Sequence, residues 1–124
     1  MLKRALLLLA VAAVAAVPAY AALTRQYVGQ TNEGGHMQFS ISKDGKSVIS
    51  FRFANRCPAD SNKGTLVNGR MRIRSDRTFA RHDSQFTITG HFTVGGAKGM
   101  ARDRTGDCDS GKLTWTATNV RTVG

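Results

Sequence analysis

Three arginines at alternate positions, Arg70, Arg72 and Arg74, are the residues of this chain whose type and spacing best fit a binding chemistry. On an extended strand, alternate side chains point the same way and lie about 7 Å apart. Guanidinium groups bind phosphate or carboxylate oxygens through paired hydrogen bonds. We therefore expect a contact stripe for an anionic polymer, or for the phosphate and carboxylate groups of a cell envelope. The same row also suits an edge strand that charge keeps soluble and unpaired.

Phosphodiester cleavage is a second chemistry that the residue types allow. A small basic ribonuclease-like hydrolase needs a general base, a general acid and a cation that stabilises the transition state. Glu33, His82, His91 and Arg81 are residues of the required types. Nothing in their spacing brings them together. This activity therefore stays the alternative to a non-enzymatic binding module, and we assign no catalytic residue.

A calcium loop is the remaining candidate site. Asp103, Asp107 and Asp109 supply carboxylates, with glycines nearby. The EF-hand pattern requires glycine at its sixth position, and counting from Asp103 places Cys108 there. A disulfide-anchored turn with aspartates that cap backbone N–H groups fits the segment better. We expect neither a metal nor a cofactor.

The N-terminus predicts export. Lys3 and Arg4 precede an unbroken apolar run, Ala5 to Val17, and a small-residue cleavage site that ends at Ala21. A basic segment, an apolar segment and an A-x-A site make a secretory signal. We expect residues 1–21 to be removed and the rest to be secreted, outside the cell or in the envelope space. The alternative is a retained anchor, since the mostly apolar segment approaches the length that spans a bilayer.

The composition describes one basic domain, residues 22–124. The whole chain of 124 residues carries 18 Lys plus Arg against 8 Asp plus Glu. Without the leader, 16 basic residues and the same 8 acids remain, a net charge of about +8. Hydrophobic residues at 41% are too frequent for a disordered polyelectrolyte, so a packed core is expected. This length and charge suit a monomer with anionic partners.

Cys57 and Cys108 both fall in the exported part. An even cysteine count in an oxidising compartment predicts a disulfide, and two cysteines allow one pairing. The competing interpretation, a reactive or metal-binding thiol pair, lacks both a C-x-x-C spacing and a nearby histidine.

Alternation of apolar and polar residues predicts strands. Met37, Phe39 and Ile41 share one face, and Asp44-Gly45 is a hairpin turn signal. The following strand, Ser47 to Arg56, places Ile49, Phe51 and Phe53 on one face. Together they form the clearest predicted hairpin.

Later segments carry further predictions. Asn68-Gly69 reads as a two-residue turn, so Arg70 to Arg74 forms a separate strand. The alternation within Gln85 to Val94 places Val94 inward and leaves Gly90 opposite a bulge or a large cross-strand neighbour.

Seven or eight short strands with turn signals every 8 to 12 residues predict an all-β fold. We expect an antiparallel sandwich, with a small closed barrel as the alternative, one disulfide, and no helix in residues 22–124.

Several segments together resemble a group of small secreted all-β proteins from high-GC bacteria. They are Tyr27-Val28-Gly29-Gln30-Thr31, Phe39-Ser40-Ile41-Ser42, Cys57 at a strand end, Gly90-His91-Phe92 and the run from Cys108 to Ala117. The group has no assigned activity. The resemblance therefore implies the fold and export, and it transfers no functional residue.

Overall fold

The computed structural model describes residues 24–57 and 64–122, and all regular structure in these two ranges is β-strand. The predicted signal peptide and its cleavage site lie outside the described residues. The strands are β1 (Thr24–Thr31), β2 (His36–Ile41), β3 (Ser47–Phe53), β4 (Thr65–Arg72), β5 (Thr78–His82), β6 (Phe86–Thr93), β7 (Gly96–Thr105), β8 (Cys108–Asp109) and β9 (Leu113–Thr122).

The strands form one antiparallel sheet that is nearly closed into a barrel. Its order is β4-β3-β2-β1-β9-β7-β6-β5, and the short β8 pairs with β7. Every pairing is antiparallel. β4 and β5 are the two outer strands of this order, and the line where they face each other is called the seam below. The prediction of an antiparallel all-β fold is confirmed, in its barrel form.

Pairing of β1 with β9 explains why the sheet curls into a barrel. The two strands pair over eight residues, from Thr24 opposite Thr122 to Thr31 opposite Trp115. The chain therefore joins its first strand to its last and leaves no second sheet for a sandwich. Sequence patterning missed β1, because Tyr27 is its one large inward residue and Gly29 and Thr31 take the other positions on that face.

Aromatic side chains fill the interior. Phe39 lies at the centre, and the centroid of its ring is 5.8 Å from that of Trp115 and 5.7 Å from that of Phe51. Both partners are buried. Eight strands enclose an interior small enough for side chains to fill, and here the aromatic residues fill it.

A β-bulge replaces the turn predicted at Asn68-Gly69. Ile49 pairs with Arg70 and Phe51 pairs with Val67, so two residues of β4 lie opposite Ser50 alone. Gly69 has φ 87° and Ser50 has φ 54°. Gly69 thus has the positive φ that a turn at Asn68-Gly69 would need, but here it forms a bulge within one continuous strand.

The bulge also corrects the predicted inner face of β3. Val48 is buried, while Ile49 is only half-buried and shares the outer face with Arg70. The unusual backbone of Ser50 shifts the alternation by one residue, so that Phe51 and Phe53 return to the interior as predicted. A period-two pattern carries no sign of such a shift.

The prediction for Gly90 is confirmed and the prediction for Val94 is wrong. Gly90 faces a large cross-strand neighbour as predicted: a β-carbon there would stand 2.3 Å from the ring of Phe79, its partner on β5. Val94 was predicted to point inward and is instead fully exposed, at 105% of its reference area. It lies in the turn between β6 and β7, because β6 ends at Thr93.

The predicted disulfide is confirmed, with the α-carbons of Cys57 and Cys108 5.6 Å apart. Cys57 follows β3, and Cys108 begins β8, which pairs with β7. β3 and β7 are four strands apart in either direction around the barrel. The bridge therefore crosses one open end. Beside it, Nδ2 of Asn55 lies 3.4 Å from Oδ2 of Asp103, whose side chain is fully buried.

Candidate anion-binding end

Turns of an antiparallel barrel alternate between its two ends. The connections after β2, β4 and β6 lie at one end, together with the start of β1 and the end of β9. We call this the basic end, for the charges described below. The connections after β1, β3, β5 and β7 lie at the opposite end, which carries the disulfide and is called the disulfide end.

The three predicted arginines lie at or near the basic end. Arg70 and Arg72 are exposed on the outer face of β4, on either side of buried Met71. Arg74 is exposed as well, but it belongs to the turn after β4 and not to the strand. Its N–H donates to the carbonyl of Thr78, 2.8 Å away, and this bond closes the turn. The structure thus places all three on one side of the molecule.

Three further cations, which the sequence analysis did not include, share this end. Lys43 and Lys46 lie in the β2–β3 turn and Arg77 in the β4–β5 turn, and all three are exposed. The N–H of Ile73 donates to the carbonyl of Lys46 at 2.8 Å, which joins the two turns. Counting the turns along the chain would have found them, because every second connection of an antiparallel barrel lies at the same end.

Two acids lie among these cations, and each one caps its own turn. Oδ1 of Asp44 accepts hydrogen bonds from Oγ of Ser42 at 2.6 Å and from the N–H of Lys46 at 3.0 Å. These bonds, followed by the charges of Lys46 and Arg70, lower the pKa of Asp44. Asp76 likewise accepts hydrogen bonds from the hydroxyl and the N–H of Thr78. These bonds lower the pKa of Asp76, and the bond from the hydroxyl is the main cause. The two carboxylates among these six cations thus already accept hydrogen bonds from backbone N–H groups.

Arg77 adopts a backbone conformation that side chains disfavour. Its φ is 67°, in the left-handed region that glycine normally occupies in turns. For other residues this conformation costs on the order of 1 kcal/mol. The turn holds Arg77 there, because its N–H donates to Arg74 and its carbonyl accepts from Phe92. A cation is therefore present where glycine would be more stable.

Charge pairing distinguishes the two ends. All salt bridges among the described residues lie at or near the disulfide end: Arg56 with Glu33, Arg81 with Asp83, and Arg102 with Asp109. Across residues 24–57 and 64–122, no cation of the basic end takes part in one. The positive charge of the basic end is thus left to act on solvent and partners.

An open groove of about 380 Å³ runs beside Arg74, along β5 and β6. Thr78 and His91 also line it, and these two residues are opposite each other in the β5–β6 ladder. The carboxylate of Asp76 lines the groove as well and accepts a hydrogen bond from the hydroxyl of Thr78 at 2.6 Å. The groups of this groove that are free to meet an anion are therefore the guanidinium of Arg74 and the imidazole of His91.

The residues considered for phosphodiester cleavage are not brought together. His82 lies opposite Thr87 and His91 opposite Thr78, four residues apart along β5, or about 13 Å. Nδ1 of His82 is 3.0 Å from the hydroxyl of Thr87. Glu33 is paired with Arg56 at the disulfide end. The geometry therefore gives no support to an acid and base acting on one phosphate.

The aspartates considered for calcium are likewise separated in their contacts. Asp103 is buried and accepts a hydrogen bond from the hydroxyl of Thr105 at 2.7 Å, whereas Asp109 is paired with Arg102. Within the described ranges, no three His, Cys, Asp or Glu side chains are grouped as a metal site requires. Nor do those ranges contain a helix with the length and apolar character to cross a membrane.

Comparisons with models of protein families, with curated proteins and with solved structures find no significant match. The resemblance to small secreted all-β proteins stays a prediction.

Proposed function

We propose that this protein is an exported, monomeric binding module that recognises anionic partners through its basic end and acts without catalysis. The carrying observation is the concentration of six exposed cations on β4 and in the two adjoining turns of the basic end: Lys43, Lys46, Arg70, Arg72, Arg74 and Arg77. The partners are an anionic polymer or the phosphate and carboxylate groups of a cell envelope.

The arrangement of charge supports this proposal over diffuse attraction. Arginines on a strand and in the adjoining turn present rigidly held guanidinium groups, which bind phosphate oxygens in pairs. Asp44 and Asp76 accept hydrogen bonds from their own turns, and among the described residues neither forms a salt bridge with these cations. The filled interior leaves the outer surface as the place of binding.

Retention on immobilised polyphosphate, measured as the salt concentration that elutes the protein, tests the proposal. The test variant carries Arg70→Gln, Arg72→Gln and Arg74→Gln. The control variant carries Arg56→Gln, Arg104→Gln and Lys112→Gln, three exposed cations at or near the disulfide end. Both variants lose three positive charges, so the difference between them reports on where the charges lie.

We expect the test variant to elute at a much lower salt concentration than the control variant, because it loses specific phosphate contacts as well as charge. Equal shifts would reduce the interaction to net charge and would contradict a defined binding end. Lys43 and Lys46 are unsuitable as controls, since they belong to the same end.

A further inference from the structure

We infer that the anionic partner of the basic end is a lipid bilayer surface, with Val94 entering the interface between headgroups and acyl chains. This inference rests on the proposed function and names its partner. It starts from the one large apolar side chain that is fully exposed among the described residues. Leu66 and Val120 are each exposed to only about two fifths, 42% and 41%.

Val94 is placed as an apolar tip. It occupies the turn between β6 and β7, where glycine follows it at positions 95 and 96, so no bulky neighbour shields it. An exposed valine here contributes nothing to the core. A single exposed apolar side chain is ordinary on a soluble domain, so the inference depends on the position of Val94 among the cations.

The tip and the cations belong to one surface. The turn after β6 lies at the basic end, and the N–H of Phe92 donates to the carbonyl of Arg77 at 3.0 Å, which fixes this hairpin beside the cationic turn. A polymer in water offers negative charge alone. An anionic bilayer offers negative headgroups above an apolar layer, and so it satisfies the cations and Val94 together.

The course of the chain agrees with this orientation. β1 begins at the basic end with Thr24, and the apolar run Ala5 to Val17 precedes it by six residues. If that run were retained in a membrane, it would hold this same end against the bilayer. If it is removed, the basic end binds by its own charge and by Val94.

Vesicle co-sedimentation of the purified protein tests the inference. The vesicles contain phosphatidylcholine alone or phosphatidylcholine mixed with phosphatidylglycerol, and the difference between the two isolates the anionic contribution from any effect of the N-terminal run. The variant Val94→Ser removes the apolar tip without changing charge. Fluorescence of Trp115, which is buried in the core, checks that the variant is folded.

We expect the protein to prefer anionic vesicles, and Val94→Ser to weaken that binding about fivefold. Retention of Val94→Ser on polyphosphate should be unchanged, since charge alone acts there. Replacing Arg70, Arg72 and Arg74 by glutamine should weaken both interactions.

Two results would overturn the inference and leave the proposed function intact. One is retention on polyphosphate without preference for anionic vesicles. The other is anionic vesicle binding that does not depend on Val94. Failure to bind either material would remove the proposed function as well.

Discussion

The Nη1 atom of Arg81 lies 3.4 Å from the position that a β-carbon on Gly69 would occupy, across the seam between β4 and β5. The same atom donates a hydrogen bond to the carbonyl of Asn68, and Nε of Arg81 donates to Asp83 at 2.7 Å. Arg81 follows the inward position of Phe79 by two residues, so it points toward the seam from inside. An inward charge at a sheet edge discourages pairing with other chains.

Substitutions at Gly69 test this closure. Gly69→Ala is expected to lower the free energy of unfolding by about 1 kcal/mol, because a side chain at φ 87° is strained. Gly69→Leu is expected to cost more than Gly69→Ala, since its outer atoms need the space that the guanidinium of Arg81 occupies. Urea unfolding of both variants measures the two effects.

Gly45 provides the matched control. Its φ is 75°, but a β-carbon there would meet no atom within 4 Å. Alanine and leucine at position 45 should therefore cost nearly the same. An equal difference between leucine and alanine at positions 69 and 45 would show that Arg81 does not fill the seam.

The position of the bulge explains why the basic end could be predicted only in part. Arg70, Arg72 and Arg74 were identified from their spacing alone. A turn at Asn68-Gly69 would have sent the next turn to the opposite end of the barrel, away from Lys43 and Lys46. Asn-Gly satisfies a turn and a bulge equally well, since both need positive φ. The pairing partner decides between them, and that is a property of the folded sheet.

The core was more predictable than the closure of the sheet. The inward positions of Phe51, Trp115 and Gly90 follow from local alternation, which each strand carries in its own residues. Closure depends on β1, whose pairing with β9 joins residues about ninety positions apart. Local alternation carries no information on such distant pairing, and the choice between sandwich and barrel therefore required the structure.

Arg77→Gly is expected to stabilise the protein and weaken binding together. Glycine adopts φ 67° without strain, so the free energy of unfolding should rise by about 1 kcal/mol. The loss of one cation should lower the salt concentration that elutes the protein from polyphosphate. Thermal unfolding and retention on the column measure the two effects. Arg77→Gln is the control for charge. It should weaken binding similarly without raising the free energy of unfolding. A glutamine variant as stable as the glycine variant would contradict the inference that the backbone at position 77 is strained.

Removal of the disulfide should be costly, because it crosses the end of the barrel and closes a long loop. With cysteines 51 residues apart, replacing both Cys57 and Cys108 by alanine should lower the free energy of unfolding by about 4 kcal/mol in the chain-entropy model. Urea unfolding with and without reductant measures this loss. The reductant should destabilise the natural chain and leave the double variant unchanged. A loss below about 1 kcal/mol would mean that the bridge constrains little.

Acid should weaken the fold through Asp83. The backbone N–H of Phe86, the guanidinium of Arg81 and the N–H of Gln85 lower the pKa of this carboxyl from 3.8 to about 2. A group whose pKa falls on folding stabilises the folded state when ionised, so its contribution is present above about pH 4 and is lost as the pH falls toward 2. Solvent exposure limits this contribution to about 1 kcal/mol or less. Asp83→Asn should therefore lower the free energy of unfolding at pH 7, and this free energy should fall less steeply between pH 5 and 2 than in the natural chain. Urea unfolding at each pH measures both effects. In Arg81→Met the pKa of Asp83 should rise from about 2 but stay below 3.8, since the N–H groups of Phe86 and Gln85 still donate to the carboxylate. An Asn variant with the same acid slope as the natural chain would show that these three donors do not stabilise the ionised carboxylate.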